Sequence, residues 1–253
     1  MAELEEAPWR SCFEVPGDPM DRIVLTQIGG TTFELGSTVI YIGDETGLED
    51  RLDAATIDAL RFVGPDRLPT TDLASVPGPL RWFVSTYGSH TPAALIHDWM
   101  ITEGPPVIGG LTPQYADRYF RFMLRTVGVP WIRRWMMWAA VAMRTRWGTG
   151  MRHRLLLAVW LVAAIIGMGA FAAGLVLGSV GLVSVAGIAP FLFALLWGRQ
   201  YAAGVVASLT APWVLPPTVV GAVGYGVYVA LEWLVGKASR AGSDNRPLSY
   251  QDF

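Results

Sequence analysis

Three residues in this chain have the types and spacing that acid–base chemistry needs. His97 and Asp98 are adjacent, and Asp117 follows twenty residues after the histidine. Thr91-Pro92 is a helix-start signal, an N-cap threonine followed by proline, and Gly104-Pro105-Pro106 is a stop. The first helix is therefore predicted from Thr91 to about Thr102. Thr112-Pro113 repeats the start signal and predicts a second helix to Val127, ended by Gly128 and Pro130. The nine-residue link Glu103–Leu111 is short enough to fold the two antiparallel. His97 then lies five residues before one helix ends, and Asp117 four residues after the other begins. At ~1.5 Å rise per residue they stand at nearly the same height on opposed helices. A carboxylate facing an imidazole fixes its tautomer and raises its basicity, which makes His97 a candidate general base and Asp117 its orienter. Asp98 points about 100° further round the helix, where it can hold a cation or water beside the ring. Asp72, in the polar turn Thr71-Asp72-Leu73-Ala74-Ser75-Val76-Pro77, is either a second cation ligand or the cap of a following helical turn. A buried structural polar cluster is the alternative reading of His97, Asp98 and Asp117 together.

Other chemistries are excluded or disfavoured by what the chain lacks. Cys12 is the sole cysteine, so a disulfide framework and a cysteine-rich zinc site are excluded. No G-x-x-x-x-G-K-[ST], G-x-S-x-G or dinucleotide fingerprint occurs. His90 stands seven residues before His97. That places it on the same helix face but ~10 Å away, too far for one metal to bridge.

The elements that position these residues belong to a chain of two unlike halves. Of 253 residues, 52% are hydrophobic and 16% charged, with mean hydropathy +0.38. A soluble protein usually carries about 25% charged residues. Residues 1–117 hold 6 Arg against 18 Asp/Glu, a balance of −12, and the remainder balances at +10. The first half, residues 1–129, reads as a cytoplasmic α+β domain. Arg22–Ile28, a Gly29-Gly30 turn, Thr31–Leu35 and Ser37–Ile42 predict a hairpin or small antiparallel sheet. Apolar spacing predicts a helix over 49–62. With the helical hairpin this gives an α+β soluble domain followed by an all-α transmembrane bundle.

That bundle is expected over 155–236. Leu155–Gly198 is 44 residues without a charge, enough for two spans with Gly178-Ser179-Val180-Gly181 as the hairpin. A second uncharged run, Tyr201–Leu231, is long for one upright crossing, and Pro212 with Pro216-Pro217 predicts a break. Four spans are expected, with three the second choice. Glu232 reads as interfacial. Nine arginines between Arg118 and Arg154 place the preceding domain in the cytoplasm, and Lys237, Arg240 and Arg246 put the polar tail, 237–253, on the same side. The expected location is a multi-pass place in the inner cell membrane. The opening Met1-Ala2-Glu3-Leu4-Glu5-Glu6 is acidic, unlike a signal segment. Between the halves, residues 130–154 set Trp131, Trp135 and Trp138 at helical spacing among arginines. An interfacial helix on anionic lipid is the favoured reading, and a helix packing its tryptophans inward the other. The lipid bilayer is the expected partner, with homo-oligomer contacts through the Gly/Ala-rich spans. No nucleic acid partner is expected.

Three ordered motifs, Thr71–Pro77, Ala94-Leu95-Ile96-His97-Asp98-Trp99 and Ala116-Asp117-Arg118-Tyr119-Phe120 with Gly128-Val129, resemble domain-of-unknown-function family 1353 across residues 30–147. The resemblance implies a phage or bacterial setting and brings no activity. Ile101 stands where that family usually has tyrosine. A looser likeness is to phospholipases A2, whose His-Asp helix is supported by an aspartate on an antiparallel partner. It implies His97 as base, Asp117 as orienter, and Asp98, with Asp72, as ligands of a divalent cation, calcium. The disulfides and the glycine-rich calcium loop of that group are absent from this sequence. The expected function is a membrane-anchored, cation-assisted hydrolase of lipid or another ester. The alternative is a non-enzymatic, phage-type structural or interaction protein.

Overall fold

In the computed structural model the described residues are 11–29, 32–43, 54–72, 88–102 and 112–242. Residues 49–53 of the helix expected over 49–62, the Glu103–Leu111 link, most of the Thr71–Pro77 turn and the polar tail from 243 lie outside them.

The soluble part is α+β, but its strands form two small sheets where one was expected. The first orders β1 (Phe13–Glu14), β4 (Val39–Tyr41) and β5 (Phe62–Val63) as β1-β4-β5, and the second orders β2 (Leu25–Gln27), β3 (Phe33–Leu35) and β6 (Thr70–Thr71) as β2-β3-β6. All pairs are antiparallel, with Val39 opposite Val63 and Phe33 opposite Thr71. Period-two alternation is clean in β4, where Val39 and Tyr41 are buried and Ile40 is not. The hairpin β2–β3 forms as expected, whereas β4 leaves it for the other sheet. A short helix, α1 (Ala54–Leu60), precedes β5.

The expected helical hairpin is present as α2 (Thr91–Thr102) and α3 (Pro113–Thr126). Thr112 caps α3 by accepting from the Tyr115 amide, and Pro113 opens the helix. α3 turns Tyr119, Phe120, Met123 and Leu124 inward. α2 is buried from Thr91 to Met100, because the sheets cover one side and α3 the other. A helix buried all round puts His97 and Asp98 among Leu95, Ile96 and Trp99, so both polar side chains need partners.

The tryptophan-rich segment is one helix, α4 (Trp131–Gly148), shared between two cores. Met137 enters the core of the soluble part, while Trp138, Ala139 and Ala142 enter a second core with Trp160, Trp197 and small alanines. Arg121 of α3 lies over the rings of Trp135 (4.6 Å) and Trp138 (4.2 Å). Trp131, Ile132 and Trp147 remain exposed at its ends.

After α4 come α5 (Met151–Val176), α6 (Val180–Ala194), a 3-10 segment (Leu195–Gln200) and α7 (Tyr201–Gly242). Two stretches are long and apolar enough to cross a membrane, Met151–Val176 and Val180–Lys237. Gly178, at φ +64°, makes the expected hairpin, and Ser179 caps α6. A Cβ on Gly174 would stand 2.9 Å from Val183, so the two helices meet closely there. The chain reverses again at Gly198 (φ 57°, ψ −124°). Beyond it, the Ser208 hydroxyl reaches the Pro190 carbonyl at 3.0 Å and a Cβ on Gly204 would stand 2.9 Å from Trp197. The expected break at Pro212 and Pro216-Pro217 does not occur, because α7 runs through all three. Each proline removes one amide donor and crowds one carbonyl, a cost that a long helix absorbs without ending.

Candidate functional site

His97 and Asp117 meet where α2 and α3 cross: Nε2 lies 2.9 Å from Asp117 Oδ1. Thr112 caps α3 as expected, whereas Thr91 is already the first residue of α2 and its hydroxyl accepts from the Gly88 amide; equal heights follow from the rise per residue. Asp117 is wholly buried and His97 nearly so. A carboxylate oxygen only accepts, so Nε2 carries the hydrogen, and Nδ1 is left as the basic nitrogen. The ring is also held against Phe120, with centroids 5.0 Å apart.

Asp117 has two further partners that the sequence did not reveal. Thr145 of α4 donates its hydroxyl to Oδ1 (2.8 Å), and Gln200, at the end of the 3-10 segment, donates its amide to Oδ2 (2.8 Å). Gln200 in turn faces Arg146, whose Nη1 is 3.4 Å from Oε1. Arg146 is buried and holds the turn by donating to the carbonyls of Trp197 (2.8 Å) and Leu196 (2.9 Å). A directed chain of donors therefore runs from Arg146 through Gln200 to Asp117. The signal was present in Arg199-Gln200, which alone interrupts two uncharged runs, and in Arg146, which has no acid near it in the sequence.

Asp98 is buried beside the histidine and accepts from the Thr71 hydroxyl at 2.6 Å. Thr71 is placed by its pairing with Phe33 at the end of β6. Burial pushes the Asp98 carboxyl above its ordinary value, against the Thr71 hydrogen bond; Asp72 adds to the rise, while His97 and Arg144 oppose it. Asp72 itself is exposed. Among the described residues no group of three His, Cys, Asp or Glu side chains is placed to hold a metal.

Because the folded-state value of Asp98 is raised, the protonated form is favoured by folding. Stability from this group is complete below the unfolded carboxylate value and is lost as pH rises through the raised one. Asp98→Asn keeps an acceptor for Thr71 and removes the ionisation. Its denaturation midpoint should exceed that of the wild type at neutral pH, with the gap closing on acidification. A wild type more stable than the variant at pH 7 contradicts this.

His97 and Asp98 line one end of a cavity of about 410 Å³, which α4, α5 and α7 extend. Ile101, at the position where the related motif has tyrosine, lines it too, as does His90. The site thus has a polar end under α2 and an apolar remainder. No curated protein and no solved structure matches the chain. A family model does match over residues 61–141, which run from the end of α1 into α4; that stretch contains His97, Asp98 and Asp117 but neither Thr145 nor Gln200. Residues 61–141 are thus similar to the family described as protein of unknown function (DUF1353).

Proposed function

We propose that this protein is a membrane-embedded hydrolase acting on the ester of a lipid. The observation that carries the reading is a buried His97–Asp117 pair that opens onto an apolar cavity walled by membrane-type helices. His97 Nδ1 takes a proton from water as the resulting hydroxide attacks the ester carbonyl, then returns it to the leaving alkoxide. Asp117 holds the ring in the required tautomer and stabilises the imidazolium between the two transfers. Thr145 and Gln200 hold Asp117.

A calcium ion on Asp98 and Asp72 is a separable part of this reading. Calcium takes six to eight oxygen ligands, and these two carboxyl groups supply at most four, one of them engaged with Thr71.

The reading places α5, then α6 with its 3-10 extension, then α7 as three antiparallel crossings. α6 and the 3-10 segment together span ~34 Å, enough for a hydrocarbon core of ~30 Å. The arginines of α3 and α4 favour the cytoplasmic side for the soluble part, and an odd number of crossings carries the tail to the other side. Tyr225, Tyr228 and Trp233 then mark the far interface.

The test is release of fatty acid from vesicles containing the purified full-length protein. The wild type should hydrolyse, and His97→Gln should lose at least 10²-fold of the rate while keeping its unfolding midpoint. Equal rates overturn the hydrolase. A chelator arm reports on calcium, and protease added outside sealed vesicles of known orientation reports on the tail. A second reading is favoured by the full complement of donors on Asp117, which suits a structural polar knot. In that case the protein is a non-enzymatic interaction module, and His97→Gln alters stability alone.

A further inference from the structure

We propose that the cavity is an acyl-chain site, in which one hydrocarbon chain of an anionic membrane lipid lies between α5 and α7 with its head at Arg144. The inference deepens the reading above by naming the substrate class, and it rests on the membrane placement given there. Its first support is shape. About 410 Å³ is within the ~300–1,000 Å³ range of small-molecule sites. Along α7 the lining runs from Ala207 to Leu215, ~12 Å of helix leading away from His97.

Its second support is the walls. α5 and α7 both pack on α6 yet barely touch each other. One tie joins them near the polar end, from Trp160 Nε1 to Ser208 Oγ at 3.2 Å. Leu161 and Leu215 line the cavity and are partly exposed to the surroundings of the helices. The cavity is therefore continuous with the faces that meet lipid, and a chain enters it sideways without passing through water.

Its third support is charge. Arg144 lines the polar end, is exposed there, and makes no ion pair among the described residues. A phosphate at that guanidinium places the ester-bearing part of the lipid beside His97. A polar ligand small enough to sit near His97 alone leaves the apolar length of the cavity without an occupant.

The experiment uses full-length His97→Gln protein, so the probe is not consumed, in vesicles containing phosphatidylglycerol with a diazirine midway along one chain. After irradiation, mass spectrometry should find label around Ala94 of α2 and Ala139 of α4, which are buried and out of reach of bulk lipid. Added Ala211→Phe, which fills the cavity, should cut that label at least tenfold while label near the exposed Val220 and Val223 stays constant. If Ala211→Phe does not fold, Leu161→Trp at the rim serves the same purpose. Arg144→Gln should reduce labelling by phosphatidylglycerol at least threefold. Label confined to the outer faces overturns the inference, as does label at Ala94 and Ala139 that neither cavity variant changes. Label in the cavity without hydrolysis by the wild type keeps the lipid site and removes the hydrolase. Hydrolysis without label does the reverse.

Discussion

Asp117→Leu should destabilise the protein more than replacement of any one of its partners. The variant leaves the His97 Nε2–H, the Thr145 hydroxyl and the Gln200 amide facing an aliphatic side chain. Losing a buried charged acceptor with its donors still in place costs about 3–5 kcal/mol. For a chain of this size that lowers the thermal midpoint by roughly 10 °C. His97→Leu removes one donor only and leaves Asp117 with Thr145 and Gln200, so its cost should be smaller. Thermal unfolding of both variants in the same detergent checks the order. If His97→Leu proves the more damaging, Asp117 is not the hub that the hydrogen bonds describe.

The reason for that ranking is architectural. Asp117 accepts from α2, α4 and the 3-10 segment while sitting on α3, so four elements converge on one carboxylate. Three of them are within or adjacent to the matched segment 61–141, and the fourth ends the first membrane-type hairpin. The His97–Asp117 pair and the long apolar helices are thus joined by hydrogen bonds as well as by the second core. The edge-to-face pair Trp160–Trp197, with centroids 5.2 Å apart, packs beside the Arg146 end of that network.

Local rules made the His–Asp half of the site legible. Thr112-Pro113 caps and opens α3, α2 begins one residue earlier than a Thr91 cap would have it, and a known rise then predicts the meeting of His97 and Asp117. The other half depends on contacts 28 and 83 residues away. The Thr145 contact needs α4 to fold back on α3 after Gly128, and the Gln200 contact arises only once the chain also reverses at Gly178 and Gly198; no periodicity reports how deep such hairpins dock. The strands show the same limit. Alternation identifies β4 as a strand, but period two says nothing about whether β3 or β1 lies beside it. The break expected at the prolines fails for a different reason. A proline imposes a penalty on a helix and not a prohibition, and α7 continues through Pro212, Pro216 and Pro217. In α4 the tryptophans divide, with Trp138 buried and Trp131 exposed, so helical spacing alone does not say which of them packs inward.

Because the donor chain from Arg146 through Gln200 to Asp117 has a direction, its polarity can be exchanged. Gln200→Glu alone puts a second carboxylate at the 2.8 Å contact with Asp117, and two such groups cannot both ionise. Asp117→Asn alone sets one amide hydrogen-bond donor against another, and Gln200 cannot turn over without presenting its NH₂ to Arg146. Each single variant should lose about 2–4 kcal/mol. When Asp117→Asn is combined with Gln200→Glu, the amide introduced on α3 donates to the carboxylate introduced on the 3-10 segment. That carboxylate also accepts from Arg146, and the oxygen of the new amide still accepts from His97 and Thr145. The pair should recover most of the loss, with a coupling energy of about 2–3 kcal/mol in a double-mutant cycle. Additive losses would show that the amide does not bridge the two charged groups. The recovered fold also separates structure from chemistry. The double variant keeps the His97 tautomer but has no charge on α3 to stabilise the imidazolium, so a hydrolase should remain folded and stay slow. A structural knot should be restored in every property that is measured.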